Sequence, residues 1–108
     1  MDITKDNKTK RVQLSETHQI FQTIFGCKWS LTIYSVIQNG INRPGQIERT
    51  VEGLSTKVMN HCLKKSVEFN ILNKKTFNEL PPRTEYSFTE FGKKFLLILK
   101  EIERLSID

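Results

Sequence analysis

The sequence predicts a mostly α-helical domain with one small β-hairpin. Apolar residues recur at helical spacing in five stretches, one segment alternates polar and apolar residues as a strand does, and turn-forming residues separate these stretches. The 108 residues are enough for one domain with a modest core.

The first two helices follow a polar N-terminal segment. Residues 1–14 contain few apolar side chains, which predicts a mobile arm, and residues 15–108 are expected to form the folded domain. The apolar spacing predicts helices over 15–25 and 28–38. Gly26 is expected to end the first of them in the usual manner of a C-terminal glycine.

The next two helices are separated by a short turn that contains glycine. Pro44 suits the first turn of a helix that runs to about Val51, and Ser55 suits the N-cap of a helix that reaches about Asn70. A short helix, a tight turn and a second helix make a helix-turn-helix arrangement. The residues predicted to face inward from the second helix are Val58, Met59, Cys62, Leu63 and Val67.

A hairpin and a long apolar helix complete the chain. Two short strands are expected on either side of Pro81-Pro82, and Thr89 is expected to cap the last helix. That helix is apolar on more than one side, so one face should meet its own domain and another a second copy. The order of elements is that of a winged helix-turn-helix domain that dimerises through its terminal helix. The heptad-like seam of this helix is Phe91, Phe95, Ile98, Ile102 and Leu105.

The outward side of the helix after Ser55 carries lysines and short polar side chains but no carboxylate. Lysines supply charge for phosphate contacts, while Thr, Asn and His can reach base edges, so this side predicts a DNA-recognition helix. The segment from Ser55 to Lys75 contains five lysines and only one acidic residue, Glu68. The whole chain has a net charge of +5. A basic surface helix without a ligand is the alternative. The outward residues are Thr56, Lys57, Asn60, His61, Lys64 and Lys65.

Other classes of function find little support in the residues. The chain has no Gly-rich phosphate loop, nucleophile elbow or triad, so neither an enzyme nor a cofactor is expected. His18 and His61 lack the spacing of metal ligands. No apolar run approaches the ~20 residues that cross a bilayer, so no membrane partner is expected. The location expected is the cytoplasm and nucleoid of a bacterium, or the nucleus of a eukaryote.

The two cysteines are expected to be reduced thiols, as is usual inside cells. Cys27 lies beside Lys28 near a helix start, a setting that lowers a thiol pKa, so it is a candidate redox residue. An inert, buried thiol is the alternative.

Three segments resemble the HxlR family of bacterial winged-helix transcription regulators. They are Gly26 to Trp29 (GCKW), Gly53 to Met59 (GLSTKVM) and Pro81 to Gly92 (PPRTEYSFTEFG). The resemblance, which extends from about Ile20 to Leu105, implies a homodimer built from the first and last helices. It implies DNA contacts from Ser55, Thr56, Lys57, Asn60, His61 and Lys64, and wing contacts from Lys74, Lys75 and Arg83. The expected dimer interface residues are Ile20, Phe21, Ile24, Phe95, Leu96, Leu99 and Ile102.

The chain departs from this family at four places. Ser66 stands where a leucine is usual, so the recognition helix is expected to pack less firmly, and Cys62 stands where an arginine is often found. Asn70 replaces a usual glycine, although asparagine tolerates the left-handed conformation. The segment before the first helix lacks the cysteine of several redox-sensing relatives, so a thiol switch of that design is not expected.

The sequence therefore predicts a regulator that binds double-stranded DNA at a pseudo-palindromic operator as a homodimer. The alternative is a winged-helix protein-interaction module that does not read DNA, which Cys62 and Ser66 motivate. A small-molecule effector between the terminal helices is conceivable, but no residue argues for one.

Overall fold

All five predicted helices and both strands are present in a computed structural model, which describes residues 15–105. The predicted arm at residues 1–14 lies outside the described residues, as do residues 106–108. The elements in chain order are α1 (Glu16–Gly26), α2 (Ser30–Gln38), α3 (Pro44–Thr50), α4 (Thr56–Glu68), β1 (Leu72–Phe77), β2 (Arg83–Phe88) and α5 (Glu90–Glu103).

The first helix has the predicted start but a different end. The Ser15 hydroxyl accepts a hydrogen bond from the His18 backbone N–H at 3.1 Å, which caps α1. The expectation that Gly26 ends the helix as a left-handed glycine is wrong, because Gly26 is the last helical residue and its φ is not positive. The extended backbone of Cys27 ends α1 instead, with its N–H donating to the Ile24 carbonyl at 3.1 Å.

The turn between α3 and α4 depends on a glycine. Gly53 has a φ of +86°, a conformation that costs glycine little, and a Cβ there would lie 3.4 Å from the Trp29 ring. Val51 and Leu54 on either side of the turn are buried. The turn therefore sets the angle at which α4 leaves α3 while its apolar residues enter the core.

The hairpin is an antiparallel pair whose register runs from Leu72 opposite Phe88 to Phe77 opposite Arg83. Asn70, just before β1, has a φ of 61°, which confirms the expected left-handed conformation. Residues 41–42 form no strand, but the Asn42 carbonyl accepts a hydrogen bond from the N–H of Tyr86 in β2 at 3.0 Å. This bond ties the α2–α3 connection to the edge of the wing.

The last helix begins where it touches the start of the hairpin. The Thr89 hydroxyl caps α5 by accepting from the Gly92 N–H at 2.7 Å, as the sequence predicts. A Cβ on Gly92 would overlap the carbonyl oxygen of Ile71, so α5 approaches the backbone before β1 as closely as glycine allows. Phe95 and Leu99 then enter the core.

The hydrophobic core is formed by residues from all five helices and the hairpin. On α2 the buried apolar residues are Ile33, Tyr34 and Ile37, whereas Val36 is half-buried, as is Trp29 just before the helix. The apolar residues of this core are Ile20, Ile24, Ile33, Tyr34, Ile37, Ile47, Val51, Leu54, Met59, Cys62, Leu63, Ile71, Leu72, Tyr86, Phe95 and Leu99.

Candidate nucleic-acid interface

Helix α4 presents one polar side to solvent along its length. Lys57, Asn60, His61 and Lys64 are all exposed. At about 100° per residue, these positions lie within roughly one third of the helix circumference. They form one continuous face with two ammonium groups, an amide and an imidazole, which suits contacts with phosphates and base edges.

The opposite side of α4 is buried in the core, with one change from the predicted set. Val58 and Val67 were expected to face inward, but they are 37% and 36% exposed at the margins of the helix. Ser66 takes an inward place instead. The reason is angular, because at about 100° per residue Ser66 falls between Cys62 and Met59 on the helix surface. The residues that α4 buries are Met59, Cys62, Leu63 and Ser66.

The inward hydroxyl of Ser66 is fully satisfied by hydrogen bonds. It donates to the Cys62 carbonyl at 2.8 Å and lies 2.6 Å from the phenolic oxygen of Tyr34 on α2. Burial raises the pKa of Tyr34 to about 12, so the phenol keeps its proton at neutral pH. Tyr34 therefore supplies a polar partner for the buried Ser66, while the expectation of looser packing at this position stays a prediction.

The N-terminus of α4 uses two short side chains in different ways. The Ser55 hydroxyl accepts from the Val58 N–H at 3.2 Å and so caps the helix. The Thr56 hydroxyl donates to a carboxylate oxygen of Glu48 on α3 at 2.6 Å. No spacing in the sequence relates Glu48 to Thr56.

The two cysteines are not free thiols in this structure. Cys27 and Cys62 form a disulfide, with their Cα atoms 6.5 Å apart, within the range such bonds span. The predicted reduced state is corrected accordingly, since the end of α1 lies against the inward side of α4. Cys27 therefore does not stand as a free reactive thiol, and its part in redox chemistry stays a prediction.

The wing lysines do not lie on a single surface. Lys74 and Lys75 are adjacent in β1, and successive strand residues point to opposite faces of a sheet. Both are exposed, and the Lys75 ammonium lies 4.9 Å from the centre of the Phe77 ring. The two ammonium groups therefore project from opposite faces of the hairpin.

Arg83 is bound within the wing. Its Nε lies 3.5 Å from a carboxylate oxygen of Glu79 and equally far from one of Glu85, and its guanidinium stacks 3.9 Å above the Phe77 ring. Glu85 also pairs with Arg43, at 3.4 Å, just before α3. The predicted phosphate contact from Arg83 would have to compete with two carboxylates. Arg43, which no sequence pattern singled out, is 44% exposed and lies between α3 and the wing.

The predicted dimer residues divide between the core and the surface. Ile20, Ile24, Phe95 and Leu99 are at most 7% exposed within a single protomer, so they serve its own core rather than a second copy. Phe21 and Leu96 are half-buried, and Ile102 is 40% exposed. The apolar residues left exposed along the α5 seam are Phe91, Ile98, Ile102 and Leu105.

Other kinds of site find no support in the described part of the chain. Among residues 15–105, no three His, Cys, Asp or Glu side chains come together as a metal site would require. None of the helices within that range is long and apolar enough to cross a membrane.

Comparisons with known proteins agree with this geometry. Residues 24–107 match the family model described as HxlR-like helix-turn-helix. The chain is 26% identical over 84 residues to YkvN, an HTH-type transcriptional regulator of Bacillus subtilis, covering 78% of this chain and 71% of that protein. It is 32% identical over 81 residues to the HTH-type regulator sll1512 of Synechocystis, covering 75% of this chain but only 60% of that protein. A solved structure from Porphyromonas gingivalis, described as a MarR-family regulator, superposes with a TM-score of 0.66 at 34% identity over 88% of this chain and 94% of that one.

Proposed function

The chain belongs to the HxlR-like helix-turn-helix family, whose members are transcriptional regulators and not enzymes, and we propose that it binds a specific DNA site as a homodimer. The observation that carries this proposal is the outward face of α4, where Lys57, Asn60, His61 and Lys64 are exposed while the inward side is buried. The fold presents this helix as a helix-turn-helix domain presents its recognition helix in the major groove.

Two kinds of contact are assigned to this face. Lys57 and Lys64 neutralise phosphates, which supplies affinity that falls as salt rises. Thr56, Asn60 and His61 reach base edges from the first two turns of α4, where such contacts are usually made. Ser55 contributes by capping the start of α4, and the N-terminus of a helix suits contact with a phosphate.

The wing adds flanking contacts to the backbone of the duplex. Lys74 and Lys75 are exposed on β1 and offer one charge on each side of the hairpin. Arg83 keeps Glu79 and Glu85 as partners, so its role in binding is to hold the wing and, secondarily, to meet a phosphate. Two lysines outweigh this internally compensated arginine as a source of affinity.

The uncovered α5 seam supports the proposed homodimer. Its apolar residues are exposed in the single protomer, whereas apolar patches on soluble proteins usually mark interaction surfaces. A two-fold dimer reads a pseudo-palindromic operator whose half-sites are about 34–36 Å apart, one helical turn of DNA. The interaction-module alternative rested on Cys62 and Ser66, and both face inward, so neither alters the DNA-facing side.

Selection of duplexes from a random DNA pool, followed by affinity measurements across a salt series, tests the proposal. A pseudo-palindromic winner is expected, with log affinity falling linearly against log salt. Lys57→Ala with Lys64→Ala should weaken binding to every duplex and lower the salt slope by about 1 for each phosphate that is no longer neutralised. Lys100→Ala, an exposed lysine on α5, is the matched control and should leave binding unchanged. Equal affinity for all duplexes would overturn the proposal.

A further inference from the structure

The Thr56 hydroxyl at the start of α4 has its single proton committed within the protein. The hydroxyl donates to Glu48 Oε2 at 2.6 Å, a length typical of a hydrogen bond to a charged carboxylate. A hydroxyl has one proton to donate and two lone pairs that accept, while an ionised carboxylate only accepts. With its proton directed at Glu48, Thr56 offers only lone pairs to any other partner.

Thr56 occupies a position from which these lone pairs can meet DNA. It is the first residue of α4 and is exposed, and the N-terminal residues of a recognition helix are those that contact base edges. The neighbouring Ser55 hydroxyl is engaged with the Val58 N–H. The Ser55 hydroxyl therefore still has its proton to donate, whereas Thr56 presents only acceptor lone pairs to a base.

The carboxylate is held in place by its helix. Glu48 is half-buried on α3, next to Ile47, whose side chain is fully buried in the core. A carboxylate near DNA repels phosphates and lowers affinity for every sequence. The Glu48 carboxylate is therefore better explained by its orientation of the Thr56 hydroxyl than by a direct contribution to DNA affinity.

We propose that Glu48 is a positioning residue that makes Thr56 an acceptor-only contact, so that Thr56 selects a base with an amino group in the major groove. Adenine offers its N6 amino group and cytosine its N4 amino group there, whereas guanine and thymine offer only acceptors at the corresponding places. Thr56 would thus favour adenine or cytosine at one operator position on the contacted strand. This inference rests on the proposed DNA-binding function and adds the chemical identity of one base contact to it.

The test measures base preference at single positions of the selected operator. The position read by Thr56 is the one whose preference disappears in Thr56→Val, which has the same shape without the hydroxyl, and persists in Thr56→Ser. At that position the wild type should bind duplexes with adenine or cytosine about fivefold to tenfold more tightly than those with guanine or thymine, the size of one hydrogen bond. Thermal melting of each variant confirms that it is folded.

Glu48→Met then tests whether the base preference depends on the direction of the Thr56 O–H or only on the presence of that hydroxyl. Methionine keeps the length of the side chain but cannot accept the proton, so the Thr56 hydroxyl becomes free to donate as well as to accept. The preference at this position should fall to less than about twofold, although overall affinity rises as a negative charge is lost. Glu52→Met removes an equivalent charge from an exposed residue and should raise affinity without changing the preference.

The outcomes distinguish this inference from the proposed function. If the wild type selects no DNA sequence, both the proposed function and the inference about Glu48 and Thr56 are overturned. If it selects an operator but guanine or thymine is favoured where Thr56→Val acts, or if no position responds to that variant, only the present inference falls. An unchanged preference in Glu48→Met would also overturn it, because the carboxylate would then have no part in the contact.

Discussion

The phenolic oxygen of Tyr34 lies 2.6 Å from the hydroxyl oxygen of Ser66, and both side chains are at most 1% exposed. Because Ser66 gives its only proton to the Cys62 carbonyl, Tyr34 must be the donor in this bond. A buried hydrogen bond thus joins α2 to the recognition helix and leaves neither hydroxyl without a partner.

Removal of the Tyr34 hydroxyl should lower the free energy of unfolding, and the size of the loss should depend on Ser66. Tyr34→Phe is expected to lower the free energy of unfolding by about 1–2 kcal/mol, since it breaks this bond and leaves part of Ser66 unsatisfied. In the Ser66→Ala background the same substitution should cost less. Urea denaturation of the four proteins gives the coupling, and fully additive losses would show that the two hydroxyls do not interact.

The free energy of unfolding should also fall at alkaline pH because of Tyr34. Its pKa is raised by burial to about 12, so between about pH 10 and pH 12 the unfolded chain loses this proton while the folded chain keeps it. The contribution of protonated Tyr34 to the free energy of unfolding is fully present below about pH 10. It is lost as pH rises through that interval, by about 3 kcal/mol at most.

Urea denaturation midpoints measured between about pH 10 and pH 12 check this loss of stability. Tyr34→Phe is the control, and its midpoint should fall less steeply with pH. Part of the decline should remain in that variant, because burial also raises the pKa of Tyr86. Identical pH profiles for wild type and Tyr34→Phe would contradict the assignment.

Gly92 should not accept a side chain. A Cβ there would overlap the backbone carbonyl oxygen of Ile71, which cannot move without shifting the start of β1, so Gly92→Ala should cost about 1–3 kcal/mol. Gly45→Ala is the matched control, because its nearest neighbour would be the flexible Arg49 guanidinium at 3.3 Å. It should be neutral or stabilising by up to about 1 kcal/mol in the same denaturation experiment. Equal effects at both glycines would count against the close approach.

The Cys27–Cys62 disulfide closes a loop with a sequence separation of 35 residues, so reduction should lower the free energy of unfolding by about 2–4 kcal/mol. Urea denaturation with and without a phosphine reductant measures this difference. Cys27→Ser is the control and should not respond to the reductant. Alkylation of both cysteines in the folded, unreduced protein would contradict the disulfide.

The apolar seam of α5 should decide the oligomeric state. Ile98→Glu and Ile102→Glu place charges on a surface that would be buried between two copies, at a cost of several kcal/mol per dimer, so monomers should predominate in sedimentation equilibrium. Leu97→Glu makes the same change at a residue that is 65% exposed on another side of the helix, and it should leave the dimer intact. A dimer that survives both isoleucine changes, or is lost with Leu97→Glu, would place the interface elsewhere.

Local chemistry explains why the order of elements could be predicted. Ser15, Ser55 and Thr89 each cap a helix with the side-chain oxygen expected of such residues, and Asn70 takes the left-handed conformation its position requires. These features depend on neighbours within a few residues, so the sequence contains nearly all the information about them.

Contacts between distant residues could not be predicted in this way. Nothing in the residue order relates Ser66 to Tyr34, 32 positions away, although the two side chains share a hydrogen bond. The sequence suggested reduced cysteines, but the end of α1 lies against α4 and brings Cys27 to Cys62. Periodicity states that a residue faces inward without stating which residue it meets, so pairings of this kind appear only once the helices are packed.

The same distinction runs through the candidate DNA interface. Residue order is enough to predict that one side of α4 is basic and polar, because helical spacing separates Lys57, Asn60, His61 and Lys64 from the apolar side. The hydrogen bond from the Thr56 hydroxyl to Glu48, and the ion pairs of Arg83 with Glu79 and Glu85, became visible once the helices and the wing were packed together. The kind of side chain on a surface follows from residue order, whereas the direction of its hydrogen bonds and the availability of its charge depend on groups that folding brings beside it.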